Sequence, residues 1–244
     1  MQRKHPLDIK MLVKEMVNEI QKGTLADESG KLPSEYTLMS HYNVSRYALR
    51  QALGQLGDMG YIYQSHGIGS FVRPKRRDTV MNLQNDTELT EELARPGRVI
   101  TTVAACQCIV SAADADFLPE NHDLPAGERL IEIKRQRTLD GEPYLIEQSY
   151  YLQSVAEEIP EESLYDSVFK YFELKKNIKV GFIDKIISSE PLSDWGASFF
   201  QLPAGAPTLV VRDDSFLSSG KLLAFSKICY DYRKAELFMF KKNY

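Results

Sequence analysis

Apolar positions near the start of the chain recur with a helical period. Leu12, Met16 and Ile20 stand four apart with Val13 and Val17 beside them, so Met11 to Lys22 predicts an amphipathic helix ended by Gly23. After a loop at Gly30, Pro33 and Ser34 supply a stop and an N-cap for a second helix in which Leu38, Met39 and Tyr42 face inward. Asn43-Val44 makes a short turn, and Ser45 caps a third helix that carries Leu49, Ala52, Leu53 and Leu56 and closes at Gly60. The period then drops to two. Tyr61-Ile62-Tyr63-Gln64 and Ser70-Phe71-Val72-Arg73 predict strands around Ser65-His66-Gly67-Ile68-Gly69, a tip whose glycines permit positive φ.

Arg73-Pro74-Lys75-Arg76-Arg77 opens a polar, proline-stiffened stretch that reads as a linker to about Arg95. From Val99 strands dominate. Val99 to Val110 predicts a strand and Ala112 to Leu118 a short helix, and Leu130 to Thr138 with Tyr144 to Tyr151 forms a hairpin around Asp140-Gly141-Glu142-Pro143. Leu164, Val168 and Phe172 place a helix over Ser163 to Leu174. Val180 to Ser188, Thr208 to Phe216 and Leu222 to Tyr232 complete a mainly antiparallel set, with a helix at Ser193 to Phe200. The expected class is α+β: a three-helix unit with a hairpin over 1–74, a linker over 75–95, and an antiparallel-sheet α+β domain over 96–244.

The chain's 244 residues suit two domains of ordinary size, at ~100–150 residues each. Its net charge of −4 argues by itself against a nucleic-acid partner, but the distribution is uneven. Residues 1–77 hold 12 Lys or Arg against 7 Asp or Glu, whereas 78–244 hold 18 against 27. Only the first segment suits a phosphate backbone. The longest apolar runs fall far short of the ~20 residues a spanning helix needs. Met1-Gln2-Arg3-Lys4-His5-Pro6 leads into an amphipathic segment instead of a signal core, so a cytoplasmic protein with no membrane partner is expected. Cys106, Cys108 and Cys229 read as buried reduced thiols more readily than as a metal or redox set.

Two short helices joined by a tight turn and followed by a hairpin describe a winged helix-turn-helix. In that motif the N-terminal turn of the second helix enters the major groove, which makes Arg46, Tyr47 and Arg50 the candidates for base edges or phosphate. As an isolated pair, Arg46 and Arg50 would read as solvated surface side chains; the flanking turn and caps reverse that weighting. The Gly-x-Gly tip fits a wing better than a nucleotide cradle, because a strand follows it and not a helix.

The strand Leu130 to Arg137 carries a second signal. Alternation sets Ile131, Ile133, Arg135 and Arg137 on one face and Glu132, Lys134 and Gln136 on the other, so two arginines continue an apolar face inward. Glu147 across the hairpin can serve one of them. Two converging guanidiniums leave room for a ligand carboxylate or phosphate, the plain alternative being a salt-bridged strand pair.

Leu32-Pro33-Ser34-Glu35, Val44-Ser45-Arg46, Arg50 with its neighbours, Gly60-Tyr61 and Gly67-Ile68-Gly69-Ser70-Phe71-Val72 together resemble the DNA-binding domain of bacterial GntR-type regulators. That resemblance implies DNA contacts from Ser34, Glu35, Ser45, Arg46, Tyr47, Arg50, His66 and Gly67. Tyr36 stands where many members carry Arg. The later segment resembles the UTRA effector-binding domain of the HutC-like branch, whose fold is similar to chorismate lyase, through Arg135 with Arg137, Asp140 to Pro143, Glu147, Ser163 to Tyr165, Leu202 to Pro207, and Ser226 with Tyr230. It implies an effector site of Arg135, Arg137, Glu147, Ser163, Ser226 and Tyr230, in which the arginines and Ser163 hold phosphate and Glu147 a hydroxyl. Ala224 replaces an acid frequent in the family.

These readings predict a homodimeric, cytoplasmic transcriptional repressor that binds double-stranded operator DNA and is released by a small anionic effector, a sugar phosphate or organic acid. No cofactor, metal or catalytic residue is expected. His5, His41, His66 and His122 lie away from the arginine pair in sequence, and no nucleophile-base or metal spacing recurs, so an enzyme on the lyase-like fold is disfavoured. A constitutive DNA-binding scaffold with internally satisfied arginines is the remaining rival.

Overall fold

The structure is a computed structural model that describes residues 8–65, 67–74, 80–82, 98–120 and 122–238. The chain divides into two compact units, Met1–Asn85 with Leu237–Tyr244, and Asp86–Glu236.

In the first unit α1 (Ile9–Lys22) starts on the Asp8 side chain and ends at Gly23 in the left-handed region. It packs with α2 (Glu35–Tyr42) and α3 (Arg46–Asp58) around Leu12, Met16, Leu38, Tyr42, Leu49, Ala52, Leu53 and Leu56, the residues the helical period places inward. The hairpin of β1 (Ile62–Ser65) and β2 (Gly69–Val72) follows, with Ser65 opposite Gly69 at its tip. Gly67 and Gly69 have φ of 73° and 137°, conformations that a side chain resists, which explains two glycines in five residues. The Leu32 amide donates to the Ser70 carbonyl at 2.9 Å and fastens the loop before α2 to the wing. Of the 75–95 linker only β3 (Val80–Asn82) is described; it pairs with the C-terminal strand β10 (Glu236–Phe238).

The second unit is built on one six-stranded antiparallel sheet. Its strands are β4 (Ile100–Ser111), β5 (Arg129–Leu139), β6 (Glu142–Leu152), β7 (Val180–Pro191), β8 (Pro207–Leu217) and β9 (Leu222–Tyr230), in the spatial order β4-β5-β6-β9-β8-β7. One face carries Ile131, Ile133 and Tyr151 and is covered by a run of short helical turns over 153–176. The other carries Tyr150, Phe225 and Ile146 beneath the segment after β4 and α4 (Asp194–Phe200). Gly196 lets α4 settle on β6: a Cβ there would fall 2.8 Å from the Ile146 side chain and 2.5 Å from Leu192.

Three expectations change. The helix expected over 112–118 shrinks to a 3₁₀ turn at Ala112–Asp114, because Phe117 leaves it to pack edge-on against Tyr150 and Phe225 and the Asp116 amide donates to the Tyr150 hydroxyl. The helix expected over 163–174 breaks into a 3₁₀ turn Glu161–Tyr165, an α turn Val168–Tyr171 and a π turn Phe172–Lys176. Ser167 restarts it by capping the Lys170 amide. Cys106 and Cys108 are exposed and not buried, since they lie on the edge strand β4, while Cys229 is half-buried. Among the described residues no helix is long and apolar enough to cross a membrane, and no cluster of three or more metal-ligating side chains forms.

Candidate nucleic-acid interface and anion site

Both predicted capping serines fix a helix start. The Ser34 hydroxyl accepts from the Thr37 amide at 3.1 Å and Ser45 from the Ala48 amide at 3.2 Å, and both serines stay exposed. Glu35, in the first turn of α2, bridges to α3: its carboxylate accepts from Arg46 Nε at 3.0 Å and Arg50 Nε at 3.2 Å. The Arg46 hydrogen bond, followed by that of Arg50, outweighs partial burial and holds the Glu35 carboxyl below its usual range. The arginine side chains are nevertheless 67% and 62% exposed, and the Tyr47 and Tyr36 rings beside them are open to solvent. Such exposed pairs contribute ~0–1 kcal/mol, so Glu35 orients the guanidiniums without holding them tightly. At the wing Gly67 is exposed, Ile68 projects, and Tyr63 stacks on Phe71 at 5.4 Å between ring centres. His66 lies outside the described residues.

In the sheet unit Arg135 and Arg137 are 6% and 2% exposed, on the face predicted by alternation. Glu147, directly opposite Arg135 on β6, accepts from Arg135 Nη2 at 2.8 and 2.7 Å through its two oxygens and from Nε at 3.1 Å. Arg135 Nη1 donates to the Asp166 carbonyl at 3.0 Å and the Leu164 carbonyl at 3.4 Å, drawing in the turn that carries Ser163. Arg137 Nη1 lies 4.0 Å from the same Glu147 oxygen. Burial pushes the Glu147 carboxyl up, but the charges of Arg135 and Arg137 and the Arg135 hydrogen bonds more than reverse this and leave it lowered.

Three further groups on this face escaped the sequence reading. Ser149, two residues beyond Glu147 and therefore on its side of the strand, donates to Glu147 at 2.8 Å. Ser226 stands between Ser149 and Asp213 in register, and Lys185 Nζ meets Asp213 at 2.9 Å. Burial raises the Asp213 carboxyl against the pull of Lys185, and its second oxygen is buried without a hydrogen-bond partner among the described residues. Ser149 was recoverable from period-two alternation. Asp213 and Lys185 were not, because β8 and β7 reach the site only through the strand order. Tyr230 is buried opposite Leu145 near the strand end, edge-on to Tyr144. The fold thus joins Arg135, Arg137 and Glu147 by direct contact, brings Ser163 near through its turn and Ser226 through register, and sets Tyr230 at the margin.

Known proteins share this two-part organisation. Residues 9–72 match the bacterial regulatory proteins of the gntR family, and residues 107–236 match the UTRA domain. The HTH-type transcriptional regulator YydK of Bacillus subtilis is 28% identical over 209 residues, covering 86% of this chain and 87% of its own. The HTH-type transcriptional repressor NagR of the same organism is 25% identical over 222 residues, covering 90% and 88%. The crystal structure of YydK superposes with a TM-score of 0.74 at 25% identity, covering 96% of this chain and 99% of that one.

Proposed function

We propose that this chain, which belongs to the gntR family of bacterial regulatory proteins in its HutC-like, UTRA-bearing branch, is a homodimeric repressor whose hold on operator DNA is loosened by a small anionic metabolite. The family is one of transcriptional regulators and not of enzymes. A sugar phosphate or an organic acid is the effector class. The observation that carries this reading is the buried site in which two guanidiniums share one carboxylate. Two buried guanidiniums converging beside one carboxylate present charge-assisted donors away from water, a setting that suits an incoming phosphate or carboxylate. Arg135, Arg137 and Ser163 hold the anionic group, while Glu147, Ser226 and Tyr230 face the remainder of the ligand.

Residues 1–74 act as the reader, with Ser34, Glu35, Ser45, Arg46, Tyr47, Arg50, His66 and Gly67 at the DNA, 75–95 as linker, and 96–244 as sensor and dimerisation domain. Dimer formation is supported by the edge strand β7, which leaves Phe182, Ile183, Ile186 and Ile187 exposed, an apolar edge that an isolated sheet would otherwise have to blunt. A two-fold dimer matches a palindromic operator with half-sites about one helical turn apart. Coupling of ~1–3 kcal/mol between the sites gives a 5- to 150-fold change in DNA affinity. A regulator of chromosomal operators works in the cytoplasm.

One observation favours a second reading: Arg135 is already saturated by Glu147 and the carbonyls of the 161–166 turn, as in a scaffold without ligand. Footprinting of the chain's own promoter, with and without a panel of sugar phosphates and organic acids, separates the two. Protection relieved by one compound, and relief lost in Arg135→Ala and Arg137→Lys while protection persists, supports the sensor. Protection that no compound relieves supports the scaffold, and absence of any protected fragment defeats both.

A further inference from the structure

The opposite face of the same sheet holds a cavity of about 410 Å³, within the ~300–1000 Å³ span of small-molecule sites. Ala104 and Cys106 of β4, Lys134 and Gln136 of β5 and Gln148 of β6 form its floor, Ser193 and Trp195 one wall, and Asp116 another. Side chains alternate along β5, so Lys134 and Gln136 point away from Arg135 and Arg137, and the two sites are separated by the sheet.

Its chemistry differs from that of the arginine site. Lys134 Nζ lies 3.1 Å from Glu132 and 3.6 Å from Asp116, so the cation is balanced and offers little to a phosphate. Gln148 is committed: its amide nitrogen donates to Asp116 and Glu132 at 2.6 Å each and lies 2.8 Å from the Tyr150 hydroxyl. The Gln136 amide and the Trp195 indole N–H, by contrast, make no hydrogen bond among the described residues. A primary amide presents two donors and an acceptor side by side, which suits adjacent hydroxyls, and an indole offers a broad apolar face with one polar edge.

We propose that this cavity is a second small-molecule site that takes a neutral pyranose sugar. The apolar face of the ring lies on Trp195, two neighbouring hydroxyls engage the Gln136 amide, and a third donates to Asp116. The site does not depend on the reading of the arginine pair.

Trp195 is the chain's single tryptophan, so its emission reports on this cavity. The full-length protein is titrated with glucose, galactose, mannose and N-acetylglucosamine, with glycine and inorganic phosphate as controls. A saturable emission shift with at least one sugar and neither control is expected, weakened tenfold or more in Gln136→Ala and unchanged within twofold in Lys221→Ala, an exposed position between β8 and β9. The same sugar should slow alkylation of Cys106, mapped by mass spectrometry, a readout that requires no substitution. No saturable shift with any of the four sugars overturns the proposal, as do a stronger response to glycine, an equal loss in Lys221→Ala, or unchanged Cys106 alkylation. Failure of this test leaves the footprinting outcome untouched, because the two sites share no residue.

Discussion

The molecule uses one device twice: a pair of arginines gathered on a single glutamate. In the helical unit Arg46 and Arg50 meet Glu35 in water, and in the sheet unit Arg135 and Arg137 meet Glu147 out of it. Composition is the same, but Arg46 and Arg50 each bond Glu35 through Nε whereas Arg135 grips both Glu147 oxygens and Arg137 stands 4.0 Å off, and only the second set is buried. In water the ion pair is weak and the guanidiniums are exchangeable, which suits a surface that must take up and release phosphates. Inside the sheet unit the charges have no solvent to fall back on, so removing Glu147 leaves buried guanidiniums without their shared carboxylate.

The sharpest way to break this comparison is to delete both glutamates in turn. Glu147→Ala should destabilise the protein by ~3–5 kcal/mol in denaturant titration, the cost of unpairing buried ions. Equal effects from Glu147→Ala and Glu35→Ala would remove burial as the cause. Acid works on the same group. The folded Glu147 carboxyl is lowered, so its stabilisation is complete above the unfolded value of ~4.3 and is lost as pH falls through the folded one. Unfolding midpoints measured between pH 7 and pH 3 should therefore decline at the acid end in wild type, and decline less in Glu147→Gln.

Arg50→Ala should lower operator affinity by ~1–3 kcal/mol in a mobility-shift titration at fixed salt. Its unfolding free energy should move by less than ~0.5 kcal/mol, as for an exposed site. A large stability loss would mean that Arg50 is a structural residue. Ser45→Ala removes the cap that starts α3 and should cost ~1 kcal/mol of stability, read as a lower denaturation midpoint. The smallest effect is expected from Glu35→Ala, within ~0–1 kcal/mol of wild-type stability.

Much of this was legible in the linear pattern. The three helices of the first unit carry their own apolar stripes, two of them start on serine caps, and the alternation of Ile131, Ile133, Arg135 and Arg137 marks the buried face of β5. Leu164, Val168 and Phe172 keep helical spacing over 163–174, yet Arg135 claims the Leu164 and Asp166 carbonyls and the helix restarts at Ser167. Cys106 and Cys108, expected as buried thiols, are exposed on β4 at the edge of the sheet, a position that their spacing does not encode.

The chain itself determined periodicity, caps, turns and the face on which each strand residue stands, because these follow from backbone geometry within a few residues. Only the tertiary structure decided which strands are edges and that Ser226 and Asp213 share a face with Glu147. It also decided that one arginine pair is wet and the other dry. Those outcomes depend on contacts between segments as distant as β5 and β8, and on the water they exclude, which no local spacing encodes.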